Sequence, residues 1–194
     1  MRFRESGMPN EEMWDTFFDP ENVLLNLGVE KNCDLLIDVG CGYGTFLLPT
    51  ADYIKGKVIG IDIDQDMVNL CNEKVKRVGR DNIEIRKRDI FSDGYGFDNE
   101  TAHSIFLFNL LHCEQPTKLL CETHRVLRKN GYLYVIHWNY DETTPRGPSI
   151  DIRPRPEQIV NWATSQNFML EKQVEVEIYH YGLVFRKSRI FKTS

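Results

Sequence analysis

The chain has 194 residues, of which 41 % are hydrophobic and 27 % are charged, as is typical of one globular domain. Its formal net charge of −5 gives no concentration of Lys and Arg, so we do not expect nucleic acid as a partner. The apolar runs are far shorter than the ~20 residues that span a bilayer, and the N-terminal MRFRE leads into no signal core, which predicts a cytoplasmic protein without membrane association.

The first regular pattern lies at residues 10–27. Large apolar side chains recur there at helical spacing, at Met13, Trp14, Phe17 and Phe18. Such a stripe can pack into the core or close over a pocket as a lid. We therefore predict one domain, residues 1–194, in which residues 1–30 form a helical cover, and both roles stay open.

Apolar runs of strand length then alternate with helical patterns. The predicted strands are residues 35–39, 57–61, 83–87, 103–108 and 131–137. The predicted helices between them are residues 45–53, 65–78 and 116–127. Because the strands are apolar on both faces, helices should cover both faces of a largely parallel sheet.

The last part of the chain departs from this alternation. A loop rich in Pro, Thr, Arg and Asp covers residues 139–156, and Pro156 begins a helix that ends near residue 165. Two final strands, residues 169–177 and 182–187, flank a turn-like segment. They predict an antiparallel hairpin at one edge of the sheet.

The most informative motif follows the first strand: Asp38-Val39-Gly40-Cys41-Gly42-Tyr43-Gly44. A glycine turn between strand and helix lets the backbone approach a ligand, at the strand ends where doubly wound sheets bind ligands. Asp62, followed by Ile63, ends the next strand and can accept hydrogen bonds from two ribose hydroxyls. After the third strand, Asp89 can accept from an adenine amino group and the Ile90 amide can serve a ring nitrogen. Together these positions outline an adenosine pocket.

The details of the turn favour one kind of nucleotide. Dinucleotide enzymes use GxGxxG, but here the sixth position is Thr45. Asp38, two residues before the first glycine, would repel a pyrophosphate but can pair with an ammonium group. The methionine part of S-adenosylmethionine carries such a group.

With Asp62, Asp89 and the segment RVLRKNGYL at residues 125–133, this turn resembles the class I S-adenosylmethionine-dependent methyltransferases. The resemblance covers residues 34–138. It implies a Rossmann-like, doubly wound α/β fold whose seven-stranded sheet is mostly parallel, with one antiparallel strand near the edge. It also implies that Asp38 and the glycines hold the methionine end of the cofactor, Asp62 the ribose and Asp89 the adenine.

The resemblance bears on the acceptor too. The fourth strand of the family commonly ends in a segment that lines the cofactor and the substrate, here Phe108 to His112, with Asn109 as the expected contact. The branches that methylate nucleic acids and protein amides commonly carry (Asp/Asn)-Pro-Pro-aromatic at this place, which this chain lacks. A small-molecule acceptor is therefore favoured.

Methyl transfer from a sulfonium needs alignment and exclusion of water more than a nucleophile of the protein. If the acceptor must lose a proton, the candidate bases are His112, His137 and Asp141. The candidate substrate contacts are Trp14, Phe18, Trp138, Arg146 and Arg153. The two arginines have an alternative interpretation, in which they pair with acidic residues of a solvated loop, namely Asp141, Glu142 and Asp151.

Other functions remain open at this stage. An NAD(P)-dependent oxidoreductase could use a related sheet, and a non-catalytic subunit could bind S-adenosylmethionine without turnover. We expect no metal, because Cys113, Cys121 and His124 lack the short spacing of metal ligands. The identity of the acceptor and the oligomeric state leave no signature in the sequence.

Overall fold

A computed structural model describes residues 9–188, in which six helices surround a seven-stranded sheet. The strands are β1 Leu35–Val39, β2 Lys57–Asp62, β3 Ile83–Lys87, β4 Ala102–Phe108, β5 Leu127–Trp138, β6 Phe168–Val176 and β7 His180–Lys187. The helices are α1 Glu11–Asp15, α2 Pro20–Leu27, α3 Leu47–Tyr53, α4 Gln65–Val78, α5 Pro116–Val126 and α6 Pro156–Ser165. None of the helices in this part of the chain is both long and apolar enough to span a membrane.

The strand order is β3-β2-β1-β4-β5-β7-β6. β1 pairs in parallel with β2 and β4, and β7 runs antiparallel to both of its neighbours. Six strands therefore share one direction and β7 is reversed, which confirms the predicted doubly wound fold. The order reverses beside β1, and the crevice that this reversal creates lies at the carboxyl ends of the strands.

The core has two halves because consecutive strand residues point to opposite faces of the sheet. Leu36 packs with Leu24 of α2 on one face. Ile37, the next residue, packs with Leu120 of α5 and Ile159 of α6 on the other face. Burial on both faces is what the apolar strands predicted.

Several element bounds differ from the prediction. The helix after the glycine turn begins at Leu47, because residues 45–46 complete the turn. β5 begins at Leu127 because the start of β4 pairs with it. His180 and Tyr181 belong to β7, since this strand pairs with β5 as far as Trp138.

The segment before β1 forms two helices. Asp19 caps α2 by accepting from the Asn22 amide, and Gly28, with φ of +74°, ends it. Of the predicted cover, residues 1–8 lie outside the described part of the chain.

Candidate functional site

The glycine turn joins the ends of two neighbouring strands. The Gly40 and Cys41 amides donate to the Ile61 carbonyl at 2.7 and 3.1 Å, and the Gly42 amide donates to Asp62 Oδ2 at 2.9 Å. Gly40 has φ of +71°, and a Cβ there would lie 2.8 Å from a methyl carbon of Leu110. The turn therefore needs glycine both for its conformation and for its contact with the segment after β4.

Asp62 presents a fixed carboxylate at the tip of β2. Oδ1 accepts from the Asp64 amide at 2.9 Å and Oδ2 accepts from the Gly42 amide at the same distance. Burial raises the pKa of Asp62, although the hydrogen bonds from these two amides act to lower it. Each oxygen keeps one acceptor site for a ligand hydroxyl.

Asp38 lies deeper than the sequence predicts. The residue is only 4 % exposed and does not line the cleft at the carboxyl edge of the sheet. Burial, with the charge of Asp62 second, raises its pKa to about 7. The structure thus places a carboxyl group that is costly to ionise directly behind the glycine turn.

The predicted adenine end is arranged differently from the expectation. The Asp89 carboxylate accepts from the Phe91 and Ser92 amides at 3.0 and 3.4 Å. Partial burial tends to raise the pKa of Asp89, but the hydrogen bonds from these two amides act against it, and the pKa lies below its ordinary value. Ile90 and Arg88, rather than Asp89, line the cavity.

One cleft of about 230 Å³ collects most of the predicted site at the carboxyl edge of the sheet. The predicted residues that line it are Gly40, Cys41, Gly42, Tyr43, Asp62, Ile63, Ile90, Asn109, His112, Trp14 and Trp138. Those that do not are Asp38, Gly44, Asp89, Phe18, His137, Arg146 and Arg153. Phe108 and Leu110, in the segment that was expected to line the site, also line it. Lining residues that the prediction missed are Ile61, Asp64, Met67 and Arg88. Three of these adjoin a predicted residue in sequence, so only Met67, in the first turn of α4, lacked a local signal.

Asn109 brings two buried polar atoms to the cleft. Its backbone has φ of +55°, and its amide donates to the Ile136 carbonyl at 2.7 Å. Both polar atoms of its side chain are buried, and neither has a hydrogen-bond partner among residues 9–188. Because such groups are rarely left unpaired, a ligand or water is the expected partner.

The other end of the cleft is aromatic. Trp14 of α1 and Trp138 of β5 lie 6.3 Å apart between ring centroids, and Phe108 packs on Phe46 at 4.8 Å. Phe18, which is buried, contacts Trp14 with a distance of 5.2 Å between the ring centroids. The cover is therefore partly core, through Phe18, and partly cavity wall, through Trp14.

Two buried histidines meet beside this wall. His112 Nδ1 lies 3.4 Å from His137 Nε2. His112 lines the cleft, whereas His137 is fully buried behind it. Of the three predicted bases, only His112 lines the cleft, since Asp141, like His137, does not.

The two predicted arginine contacts lie elsewhere. The Arg153 guanidinium, in a residue 7 % exposed, donates to the carbonyls of Asn139, Asp141 and Pro148 at 2.8–3.0 Å and to the Thr144 hydroxyl at 2.6 Å. Arg146 is exposed. Neither arginine lines the cleft, and Arg153 holds the 139–156 loop together, chiefly through carbonyls rather than the carboxylates of the alternative.

This sheet, with a glycine turn at its switch point and an acid at the next strand tip, defines the class I methyltransferase type of site. Residues 37–135, about half of the chain, match the family profile described as "Methyltransferase domain". The chain belongs to this family of S-adenosylmethionine-dependent methyltransferases, which confirms the predicted family and cofactor.

Individual proteins agree with this assignment. A demethylmenaquinone methyltransferase of Bacteroides fragilis is 28 % identical over 153 residues, which cover 70 % of this chain and 60 % of that protein. A sterol 24-C-methyltransferase of Kluyveromyces lactis is 29 % identical over 125 residues, 61 % of this chain and 33 % of that protein. The chain thus spans three fifths or less of these two relatives. The crystal structure of an S-adenosylmethionine-dependent methyltransferase from Aquifex aeolicus superimposes with a TM-score of 0.81, at 28 % identity, over 92 % of this chain and 94 % of that one.

Proposed function

We propose that this protein transfers the methyl group of S-adenosylmethionine to an apolar, ring-containing small molecule. The observation that carries the proposal is the continuity of one cleft, which joins the glycine turn and Asp62 to the wall formed by Trp14, Phe108 and Trp138. A polar half and an aromatic half therefore lie side by side, as a transfer between two bound molecules requires.

The polar half fits the cofactor. Asp62 has free acceptor sites for the ribose hydroxyls, and the unpaired Asn109 amide can both donate and accept. The backbone of the glycine turn admits close approach, and the buried Asp38 would balance the ammonium group. When bound, the cofactor supplies a methyl group activated by a positively charged sulfur. The chain has only to align the acceptor and to keep water out.

The aromatic half sets the class of acceptor. The charged side chains that line the cleft lie at the end of β2, just after it and beyond β3, namely Asp62, Asp64 and Arg88. The wall beside β4 and β5 instead carries Trp138, Phe108 and His112, together with Trp14 of α1. Such a wall favours a flat, uncharged molecule. The names of two relatives, which act on demethylmenaquinone and on a sterol, agree with this class.

Binding of the cofactor can be tested by calorimetry and thermal shift. We expect S-adenosylhomocysteine, but not NAD, to stabilise the protein. Asp62→Ala should weaken binding by about 30-fold, since about 2 kcal/mol of charge-assisted hydrogen bonding is lost. The exposed Asp66, at the start of α4, provides the matched control, and Asp66→Ala should bind normally. Unchanged affinity in Asp62→Ala would remove Asp62 from the site.

Turnover needs a separate experiment. The protein is incubated with methyl-labelled cofactor and a cell extract separated by polarity, and we expect label in the apolar fractions. Trp14→Ala should lose this transfer while keeping cofactor affinity, and Trp162→Ala, a half-buried tryptophan outside the cleft, should keep both. Cofactor binding without labelled product would favour the non-catalytic subunit, and label in polar fractions alone would refute the acceptor class.

Three expectations from composition and pattern stay predictions. They are the cytoplasmic location, the lack of a nucleic-acid partner, and the membership of residues 1–194 in one domain.

A further inference from the structure

The cleft contains an arginine at the end where the sequence predicted adenine. The Arg88 amide donates to the Asp62 carbonyl at 2.9 Å, so Arg88 lies beside the residue proposed to hold the ribose. Arg88 lines the cleft together with three apolar residues, Ile63, Met67 and Ile90. Adenine has apolar faces and polar edges, and this end of the cleft offers both kinds of contact.

The loop that follows Arg88 holds its guanidinium in a fixed orientation. Nε donates to the Gly94 carbonyl at 3.1 Å, and Nη2 donates to the Asp93 carbonyl at 2.9 Å. Gly96 leaves room for the group, because a Cβ at this position would lie 2.8 Å from Cζ and Nη1 of Arg88. The planar guanidinium is therefore oriented before a ligand binds, which lowers the entropic cost of a further hydrogen bond.

Part of the donor capacity of this guanidinium is unused. A guanidinium has five N–H groups, and the two carbonyls need only two of them. Within the described residues 9–188, Nη1 makes no hydrogen bond and the group pairs with no carboxylate. In Arg153, by contrast, all three nitrogens donate to the 139–156 loop. Arg88 thus brings unused N–H donors and an unbalanced positive charge to the cleft.

Such donors suit one part of adenine better than another. The ring nitrogens N1, N3 and N7 are acceptors, whereas the exocyclic amino group is a donor that needs a partner such as a carboxylate. The Asp89 carboxylate was expected in that role, but it accepts from the Phe91 and Ser92 amides, and Asp89 does not line the cleft. The chemistry at this end of the cleft is therefore that of a donor for the ring nitrogens.

We propose that Arg88 recognises the adenine of S-adenosylmethionine by donating from Nη1 to a ring nitrogen, and that it thereby contributes to specificity for this base. Ile63, Met67 and Ile90 supply apolar contact to the ring. A hydrogen bond from a charged donor is stronger than one between neutral groups, so this contact should carry a measurable share of the affinity. The role concerns the cofactor alone and holds for any methyl acceptor.

Calorimetry with altered forms of the demethylated cofactor tests this role. The probes are S-adenosylhomocysteine and its 1-deaza, 3-deaza and 7-deaza analogues, each of which has C–H in place of one ring nitrogen. We expect at least one analogue to bind the unmutated protein about 10-fold more weakly than S-adenosylhomocysteine. Arg88→Met should bind S-adenosylhomocysteine itself about 10- to 100-fold more weakly, and the discrimination against that analogue should fall below about twofold.

A purely structural Arg88 would give a different pattern. If its side chain only held residues 93–96 in place, Arg88→Met would weaken all four compounds by the same factor and the discrimination would persist. Arg86 provides the matched control on the same strand, because its guanidinium pairs with Glu84 at 2.7 Å and Arg86 does not line the cleft. Arg86→Met should leave all four dissociation constants within about twofold.

Three results would overturn the proposal. They are equal binding of all four compounds by the unmutated protein, undiminished discrimination in Arg88→Met, and a similar loss of discrimination in Arg86→Met. If Arg88→Met does not fold, Gly96→Ala replaces it, since the new Cβ would displace the guanidinium while every residue that lines the cleft is kept. Undiminished discrimination in that variant would equally refute the role of Arg88. Failure of all four compounds to bind would remove the cofactor site as a whole, whereas the other results leave it in place.

Discussion

Replacing Asp38 with Asn should stabilise the free protein and at the same time weaken its binding of S-adenosylmethionine. The carboxyl group is 4 % exposed, and burial together with Asp62 raises its pKa from 3.8 to about 7. Ionised Asp38 therefore costs folding free energy. In the proposed binding mode, the ammonium group of the cofactor offsets this cost. Asn has nearly the same shape and never ionises.

The size of the effect depends on pH in a defined direction. Because the folded-state pKa lies above the unfolded one, the folded state binds more protons, and stability falls as pH rises from about 4 to about 7. At about 1.4 kcal/mol for each pH unit, the cost of Asp38 reaches about 2 kcal/mol at pH 5 and at most about 4 kcal/mol at pH 8. Asp38→Asn should recover these amounts.

Urea unfolding followed by tryptophan fluorescence measures the gain. With a slope of about 2 kcal/mol/M, the midpoint should rise by roughly 1 M at pH 5 and by up to roughly 2 M at pH 8. The affinity for S-adenosylmethionine should fall by about 10-fold or more in the same variant, through the lost charge pair.

Asp34, just before the same strand, provides a matched control with the opposite sign. Although partial desolvation opposes the shift, Arg128 and His103 help to lower the pKa of Asp34. Asp34→Asn should therefore destabilise the protein above about pH 4, and the loss should fade as pH falls. A gain in Asp38→Asn that is absent or independent of pH would refute the electrostatic argument.

Three further substitutions test the scaffold of the site. Gly40→Ala should lower the affinity for S-adenosylhomocysteine by about 10-fold, since its φ of +71° is strained for Ala and the new Cβ meets Leu110. An unchanged dissociation constant in calorimetry would contradict this. Arg153→Ala should lower the free energy of unfolding by about 3 kcal/mol and expose the 139–156 loop to proteases, because the carbonyls that Arg153 binds lose their donor. A loop that resists proteases at unchanged stability would show that Arg153 does not hold it in place. Tyr95→Phe should cost about 1 kcal/mol, as measured by urea unfolding, because the Tyr95 hydroxyl is 2.7 Å from Thr123, whose own hydrogen goes to the Leu119 carbonyl; an unchanged stability would show that this hydrogen bond adds no net free energy.

The polar half of the cleft was largely predictable because its signals are local. Apolar strands followed by turns forecast a parallel sheet, and strand ends in such a sheet meet at one edge. Gly40, Gly42 and Gly44 all have positive φ, which few other residues adopt without strain. Asp62 was identified from the same pattern, because it ends the strand beside the turn.

The precise facing of side chains was not predictable in the same way. Asp89 was expected at the adenine, but its carboxylate binds nearby amides while Arg88 and Ile90 face the cleft. Arg153 was expected at the substrate, but its donors are used by carbonyls of its own loop. In both cases a side chain found partners within its own loop, and neither pattern nor charge shows which partner it prefers.

Sequence alone determined the glycine turn, because that turn follows from the conformational limits of a few consecutive residues. Through the resemblance carried by this turn, Asp62 and Asp89, it also indicated the class of protein and its cofactor. The tertiary structure decided what faces the acceptor. Trp14 and Trp138 lie far apart in the chain, and His112 lies in the turn after β4 whereas His137 is on β5, yet each pair meets beside the cleft. Packing of the cover onto the sheet, and the pairing of β4 with β5, bring these residues together.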